Sequence, residues 1–148
     1  EILMGFISEA DSVELKKELE QIKTDLHLHF FSSKNQQICQ LCEQTREILT
    51  EVQGLSDKIK LIEHDFEADP ETAKKYSVEK LPAIILTKTD NVDMGIRWFG
   101  IPAGHEFMSL VFALIDVGSG NIEIPDWAID KIKEINKPVH LQVFVTPT

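Results

Sequence analysis

Cysteine is scarce in this sequence, whose 148 residues include only two, Cys39 and Cys42, separated by two residues. One closely spaced pair excludes the multi-disulfide framework that stabilises small secreted domains. Basic residues are also few, since 15 Lys and Arg stand against 25 Asp and Glu and give a formal net charge of −10. That balance argues against nucleic-acid binding, which needs clustered basic side chains, and against an anionic membrane surface. We expect neutral or basic proteins, or small molecules, as partners.

Long hydrophobic runs are absent as well. No apolar segment approaches the ~20 residues that a membrane-spanning helix requires. The apolar start at residues 2–7 is too short for the core of a signal peptide and lacks a basic lead. With a single cysteine pair, these absences favour a cytoplasmic location. A hydrophobic share of 43% and a charged share of 27% are typical of a soluble globular protein with a sizeable core.

Apolar periodicity predicts an alternating order of helices and strands. The predicted elements are a helix capped by Ser8, a strand at 26–31, a helix at 43–52, a strand at 59–65, a short helix opened by Asp69 and Pro70, strands at 83–87 and 94–99, and a helix at 104–117. This order predicts a thioredoxin-like α/β fold, in which a mixed central sheet of four strands is flanked by helices. The first helix is an addition to that fold.

The cysteine pair lies between a predicted strand and a predicted helix, which suits dithiol–disulfide chemistry. We expect Cys39 to be exposed at the helix N-terminus, where unpaired N–H groups and the helix dipole lower a thiol pKa from ~8.5 toward ~3.5–7.5. Cys39 is then the attacking thiolate, and the more buried Cys42 resolves the mixed disulfide. The same helix is predicted to turn four side chains inward: Leu41, Ile48, Leu49 and Val52.

A zinc site is the main chemical alternative, because Cys-x-x-Cys also forms half of a tetrahedral centre. Two further ligands would have to come from the five histidines, His27, His29, His64, His105 and His140. His27 and His29 share one face of a predicted strand, but no second closely spaced pair shows the usual zinc-finger spacing. We therefore favour disulfide exchange and predict no metal site.

Five stretches of the sequence carry a resemblance to a known family. They are Cys39 to Cys42, Asp65-Phe66, Gly95 to Phe107, Met4 to Asp11, and Val143 to Thr148. The thirteen residues from Gly95 are the most specific of these. Together they resemble the protein disulfide oxidoreductases with tandem thioredoxin-like units, often described as glutaredoxin-like proteins of thermophiles.

The resemblance implies thiol–disulfide exchange with protein substrates, and with it a role in electron transport and cell redox homeostasis. It implies no cofactor and suggests a flavin-dependent thioredoxin reductase as electron donor. Pro82, directly before an apolar strand, matches the family's cis-proline, which lies against the dithiol and leaves the backbone of the preceding residue open to an extended substrate. The substrate groove would be lined by Ile38, Leu41, Leu81, Gly100 and Ile101.

Thioredoxins often keep a buried acid beneath the dithiol, and the strand before Cys39 offers only His29 or His27 as substitutes. Tandem family members also commonly divide labour between their units. A docking or peptide-binding unit with weak redox activity is therefore the alternative to an exchange enzyme.

Residues 1–118 are predicted to form one thioredoxin-like unit. Residues 119–148 would supply a linker, a helix at 125–135 and a strand at 139–145, the opening of a truncated second unit whose dithiol would follow Thr148. A strand at 141–145 without its partners would present an unpaired apolar edge. We therefore expect dimers through this strand.

Overall fold

The computed structural model of the protein describes residues 5–146. Its helices and strands follow the predicted order closely. They are α1 (Glu9–Leu19), β1 (Leu26–Ser32), α2 (Cys42–Gly54), β2 (Ile59–Asp65), α3 (Pro70–Lys75), β3 (Ala83–Lys88), β4 (Val92–Phe99), α4 (His105–Ser119) and α5 (Asp126–Lys133), with a 3-10 turn at Thr89–Asn91.

The four strands form one mixed sheet in the order β2-β1-β3-β4. Strand β1 runs parallel to β2 and antiparallel to β3, and β3 runs antiparallel to β4. The parallel β1–β2 pair is joined through helix α2, and the antiparallel β3–β4 pair through the short 3-10 turn. The predicted thioredoxin-like fold with an added N-terminal helix is confirmed.

Capping residues that can be recognised in the sequence set several of the helix boundaries. The Ser8 side chain accepts a hydrogen bond from the Asp11 N–H and so caps α1. Asp69 caps α3 in the same way, with Pro70 at the first helical position. Helix α4 ends at Ser119 and is capped by Gly120, whose φ of 71° lies in the left-handed region that glycine adopts without steric cost.

The core has two parts, one on each face of the sheet. On one face α1, α2 and α4 cover the sheet, and both cysteines belong to this cluster. Its fully buried aliphatic and aromatic side chains include Leu19, Leu26, Leu28, Phe30, Ile48, Leu49, Ile84, Leu86, Leu110 and Leu114. The other face is covered around α3 by a smaller cluster of Phe31, Ala73, Tyr76, Val78, Ala83 and Ile85. Because neighbouring residues of a strand face opposite ways, β1 contributes to both clusters.

The segment after α4 departs from the prediction. Helix α5 forms, but residues 139–146 adopt neither helix nor strand, so the strand predicted at 139–145 is wrong for this structure. A strand requires a neighbour for its N–H and C=O groups, and no strand within residues 5–146 pairs with this segment. Its apolar side chains are consequently exposed, with Leu141 at 85% and Phe144 at 86%. Met4, Pro147 and Thr148 of the family-like stretches lie outside the described residues.

A membrane crossing would need a helix that is both long and apolar. No helix within residues 5–146 combines the length and the apolar character needed to cross a bilayer.

Candidate active site

Cys39 and Cys42 are joined by a disulfide, with their Cα atoms 5.5 Å apart. The bond lies beyond the C-terminal end of β1 and at the start of α2. Cys42 is the more buried of the two, as predicted, with 1% of its surface exposed. The prediction that Cys39 is exposed is wrong, because only 4% of its surface reaches solvent. The disulfide is buried as part of the main core cluster and is not exposed on the surface.

Helix α2 begins later than the sequence suggests. Its first residue is Cys42, so Cys39 precedes the helix by three residues and is not its N-terminus. The physical reason is a turn centred on Asn35, whose carbonyl oxygen accepts the N–H groups of Ile38 and Cys39 at 2.9 and 3.0 Å. The Cys39 N–H therefore already has a hydrogen-bond acceptor within the turn. The helix N-cap is Leu41, which provides no side-chain hydrogen bond to the first turn.

Four apolar residues, which we call the collar, lie next to the cysteines in the sequence or pack against the cluster that contains them: Ile38, Leu41, Leu81 and Ile101. Ile38 is 52% exposed and Leu41 41% exposed, so the prediction that Leu41 points into the core is wrong. Leu41 stands at the helix N-cap, before the inward-facing positions of α2 begin. Leu81 and Ile101 are partly buried and pack against the cluster that contains both cysteines.

Pro82 occupies the entrance of β3, as predicted from its position before an apolar strand. The Leu81–Pro82 peptide bond is cis, and Pro82 is buried. Its carbonyl oxygen accepts the Gly100 N–H at 2.9 Å, which ties the start of β3 to the turn that follows β4. Gly100 has a φ of +123°, a conformation that favours glycine there. The hydrogen bond holds Leu81 and Ile101 at the same end of the sheet.

His27 and His29 do not lie beneath the disulfide, so their predicted role as substitutes for a buried acid is wrong. They alternate along β1 with Leu28 and Phe30, which belong to the disulfide's cluster. The histidines therefore face the α3 side of the sheet. The His29 ring lies 4.9 Å from the Tyr76 ring on that side.

His29 is the centre of a buried polar chain on this second face. Its Nδ1 lies 2.9 Å from His64 Nε2, and its Nε2 lies 3.2 Å from Thr87 Oγ1. His64 in turn faces Asp69, with 3.7 Å between Nδ1 and Oδ2. The pKa of His29 is lowered to about 4, chiefly by burial and additionally by the neighbouring His64 and His27. Burial also lowers the pKa of His64, against the opposing effect of Asp69.

These histidines do not form a metal centre with other ligands. Among residues 5–146, no group of three or more His, Cys, Asp or Glu side chains is arranged to hold a metal ion. The zinc alternative therefore gains no support from the geometry.

Sequence reasoning missed a polar network that holds the loop before Cys39. Ser33 is buried at 5% exposure, and its hydroxyl donates to Glu67 Oε1 at 2.6 Å. The Ser33 Oγ also accepts the Asn35 N–H at 3.0 Å. The Ser and Asn content of this loop was the available signal, because these residues favour local side-chain to backbone hydrogen bonds.

Comparison with known proteins gives relatives that share this fold. No family model matches the sequence. The F subunit of alkyl hydroperoxide reductase from Staphylococcus aureus is 28% identical over 106 residues, which cover 72% of this chain. The match spans only 18% of that relative's length.

Two solved structures superimpose closely on the chain. The NTD_N/C domain of alkyl hydroperoxide reductase from Enterococcus faecalis is 26% identical with a TM-score of 0.80, over 88% of this chain and 62% of the other. A protein disulfide oxidoreductase from Aeropyrum pernix is 25% identical with a TM-score of 0.81, over 95% of this chain and 60% of the other. The chain therefore combines a thioredoxin-like fold with a Cys-x-x-Cys disulfide, and in sequence and fold it is similar to thioredoxin-like disulfide oxidoreductases.

Proposed function

We propose that this protein is a thiol–disulfide oxidoreductase that exchanges disulfides with protein substrates through Cys39 and Cys42. The observation that carries the proposal is the position of the Cys39–Cys42 disulfide, between β1 and α2 of a thioredoxin-like sheet. The exchange itself needs no metal or cofactor, because the two sulfur atoms store the electron pair.

The proposed reaction begins with the reduced pair. The Cys39 thiolate attacks one sulfur of a substrate disulfide, forms a mixed disulfide and releases the other substrate sulfur as a thiolate, which takes a proton from solvent. The Cys42 thiol then loses its proton to solvent and attacks the Cys39 sulfur. The mixed disulfide breaks, the Cys39–Cys42 bond forms, and the second substrate thiolate leaves and is protonated. Two electrons and two protons reach the substrate, and the reverse sequence oxidises a substrate dithiol.

The burial of the two cysteines supports this assignment of roles. Cys39 is the less buried sulfur, and its neighbours Ile38 and Leu41 are the most exposed apolar residues beside the pair. An incoming disulfide therefore meets Cys39 first, while Cys42 stays within the core cluster.

The collar residues form the proposed binding surface for an unfolded or extended peptide. Ile38 and Leu41 offer accessible apolar area beside the cysteines, and we propose that Leu81, Gly100 and Ile101 line the rest of this surface. Apolar contacts of this kind bind peptides with little regard to their sequence. We propose that the main chain at Leu81, beside Pro82, pairs with the substrate backbone as a short added strand.

We further propose a domain arrangement and a redox partner. Residues 1–118 form one thioredoxin-like unit, and residues 119–148 supply the linker, the helix and, once paired, the first strand of a second. The exposed apolar side chains of α5 and the tail support this, since Trp127 is 71% exposed. The similarity to the F subunit of alkyl hydroperoxide reductase supports a reductase as the electron donor, and we propose a flavin-dependent thioredoxin reductase in this role.

The test is to trap the mixed disulfide with a model protein disulfide, insulin. Cys42→Ser should accumulate a covalent adduct through Cys39, because no thiol remains to resolve it. Cys39→Ser should accumulate far less, because Cys42 is buried within the core. Equal trapping by both variants would contradict the assigned roles, and trapping by neither would contradict the proposed exchange.

A docking or peptide-binding unit with weak redox activity is a second candidate, favoured by the 4% exposure of Cys39. The two candidates differ in what Ile38→Ser and Leu41→Ser do. If the collar serves exchange, each substitution slows adduct formation when it is combined with Cys42→Ser. In the chain that keeps both cysteines, each substitution leaves the reduction potential unchanged. If the unit only docks, peptide binding falls but no adduct forms in any variant.

A further inference from the structure

We propose that Ser33 is a positioning residue for the redox pair, holding the loop that carries Cys39 so that the two sulfurs stay close when reduced. This inference rests on the proposed function, because it concerns the same cysteine pair. It assigns a role to a side chain whose hydrogen bonds reach Asn35 and Glu67 and whose influence on the sulfurs is therefore indirect.

The first part of the argument is a continuous chain of hydrogen bonds. The Ser33 hydroxyl accepts the Asn35 N–H at 3.0 Å, and the Asn35 carbonyl accepts the Cys39 N–H at 3.0 Å. The Asn35 side chain adds a third tie, because its Oδ1 accepts the Gln37 N–H at 3.0 Å. The buried Ser33 hydroxyl therefore holds Asn35 in place, and Asn35 in turn accepts the hydrogen bonds that form the turn before Cys39.

The second part is the anchor behind Ser33. Its hydroxyl donates to Glu67 Oε1 at 2.6 Å, a charge-assisted bond that is stronger than a neutral one. Glu67 lies in the connection between β2 and α3, where Asp65 Oδ1 accepts the N–H groups of Glu67 and Ala68 at 3.1 and 3.0 Å. The Cys39 loop is thus tied through Ser33 to a second ordered loop at the same end of the sheet.

None of these bonds involves a sulfur atom, so reduction of the disulfide leaves the network free to persist. A loop held in place keeps the Cys39 thiol near Cys42 and raises the effective concentration of one sulfur at the other. That concentration sets how firmly the disulfide resists reduction. Without the Ser33 hydroxyl the loop samples more positions, and the disulfide becomes easier to reduce.

The expected change is about fivefold in the thiol–disulfide equilibrium constant, which equals about 1 kcal/mol and is only part of the free energy of the two hydrogen bonds that the Ser33 hydroxyl makes. This corresponds to a reduction potential about 20 mV less negative, since tenfold equals about 30 mV for a two-electron couple.

The experiment is a redox titration of the full chain in graded mixtures of reduced and oxidised dithiothreitol or glutathione, comparing Ser33→Ala with Ser32→Ala. Ser32 is a matched control because it is the adjacent residue, is similarly buried at 6% exposure, and accepts a hydrogen bond from Arg46 instead of the Cys39 loop. We expect Ser33→Ala to shift by about fivefold and Ser32→Ala to match the wild type. Identical potentials for all three proteins would overturn the inference.

Further variants separate positioning from simple destabilisation. Ser33→Thr keeps the hydroxyl and should have a potential close to that of the wild type. Glu67→Gln keeps an acceptor oxygen but loses the charge, so its potential should shift less than that of Glu67→Ala. Glu67→Ala removes the anchor and should shift the potential in the same direction as Ser33→Ala. If Ser33→Ala does not fold, the Glu67 pair decides, and equal potentials for Glu67→Ala and Glu67→Gln would overturn the inference.

The outcome for the wild-type protein distinguishes the two proposals. A wild-type chain without a reversible two-electron transition would overturn the proposed function and this inference together. A normal wild-type transition with no response to Ser33 or Glu67 would overturn the inference alone.

Discussion

His29 makes the stability of this protein depend on pH in a range where most carboxylates are already ionised. Its side chain is buried at 4% exposure, between His64 and Thr87, and also faces His27 and Lys75. Burial is the main reason that its pKa is lowered from 6.5 to about 4. The perturbation we consider is His29→Gln, which keeps a polar side chain but does not titrate.

The size of the effect follows from proton linkage. In the unfolded chain His29 binds a proton below about pH 6.5, whereas the folded protein leaves it neutral down to about 4. Above pH 6.5 His29 is neutral in both states, and the full stabilising contribution of the buried ring is present. As the pH falls from 6.5 toward 4, only the unfolded chain takes up the proton, so this contribution is lost. Between pH 7 and pH 5 the wild type should lose about 2 kcal/mol through this group alone. The lowered pKa of His64 acts in the same direction.

The assay is urea unfolding at pH 7, 6 and 5, with the free energy of unfolding compared between proteins at each pH. The difference between wild type and His29→Gln should shrink by about 2 kcal/mol from pH 7 to pH 5. His140→Gln, at an exposed position, should parallel the wild type throughout. Equal pH slopes for wild type and His29→Gln would refute the reasoning.

Two further predictions concern packing and association. Gly118→Ala should destabilise by about 1–3 kcal/mol in thermal or urea unfolding, because its Cβ would lie 2.6 Å from Ile22 Cγ2. The Cβ added by Gly54→Ala would meet no heavy atom within 4 Å, so this control should be neutral or stabilise the fold by up to about 1 kcal/mol. Equal losses of unfolding free energy for the two variants would contradict the packing argument. The exposed tail should drive concentration-dependent dimers in size-exclusion chromatography with light scattering, weakened by Val143→Lys; a wild-type chain that stays monomeric at high concentration would contradict this.

The fold was predictable because its signals are local. Alternating and helical apolar spacing identifies the central elements, and Ser8 and Asp69 mark helix starts by their capping chemistry. The position of Pro82 before an apolar run likewise located the entrance of β3.

At the candidate site, the predicted cysteine pair forms a disulfide, but the loop before it differs from the prediction. The Cys-x-x-Cys spacing identified the disulfide, yet the exposure of Cys39 depends on how a polar loop folds back onto Asn35. Such loops are set by side-chain to backbone hydrogen bonds, which apolar periodicity does not report. The error at His27 and His29 has a different origin, because the side of the sheet that each residue faces depends on which helices cover it.

The central claim is that Cys39 and Cys42 form a reversible exchange site. The most direct test equilibrates the full chain in graded thiol–disulfide buffers and counts free thiols by mass tagging, with metal content measured on the same sample. We predict a reversible two-electron transition at about −270 to −120 mV, abolished in Cys39→Ser and in Cys42→Ser. Thiols that never pair, or that pair only after a chelator has removed bound zinc, would contradict the account.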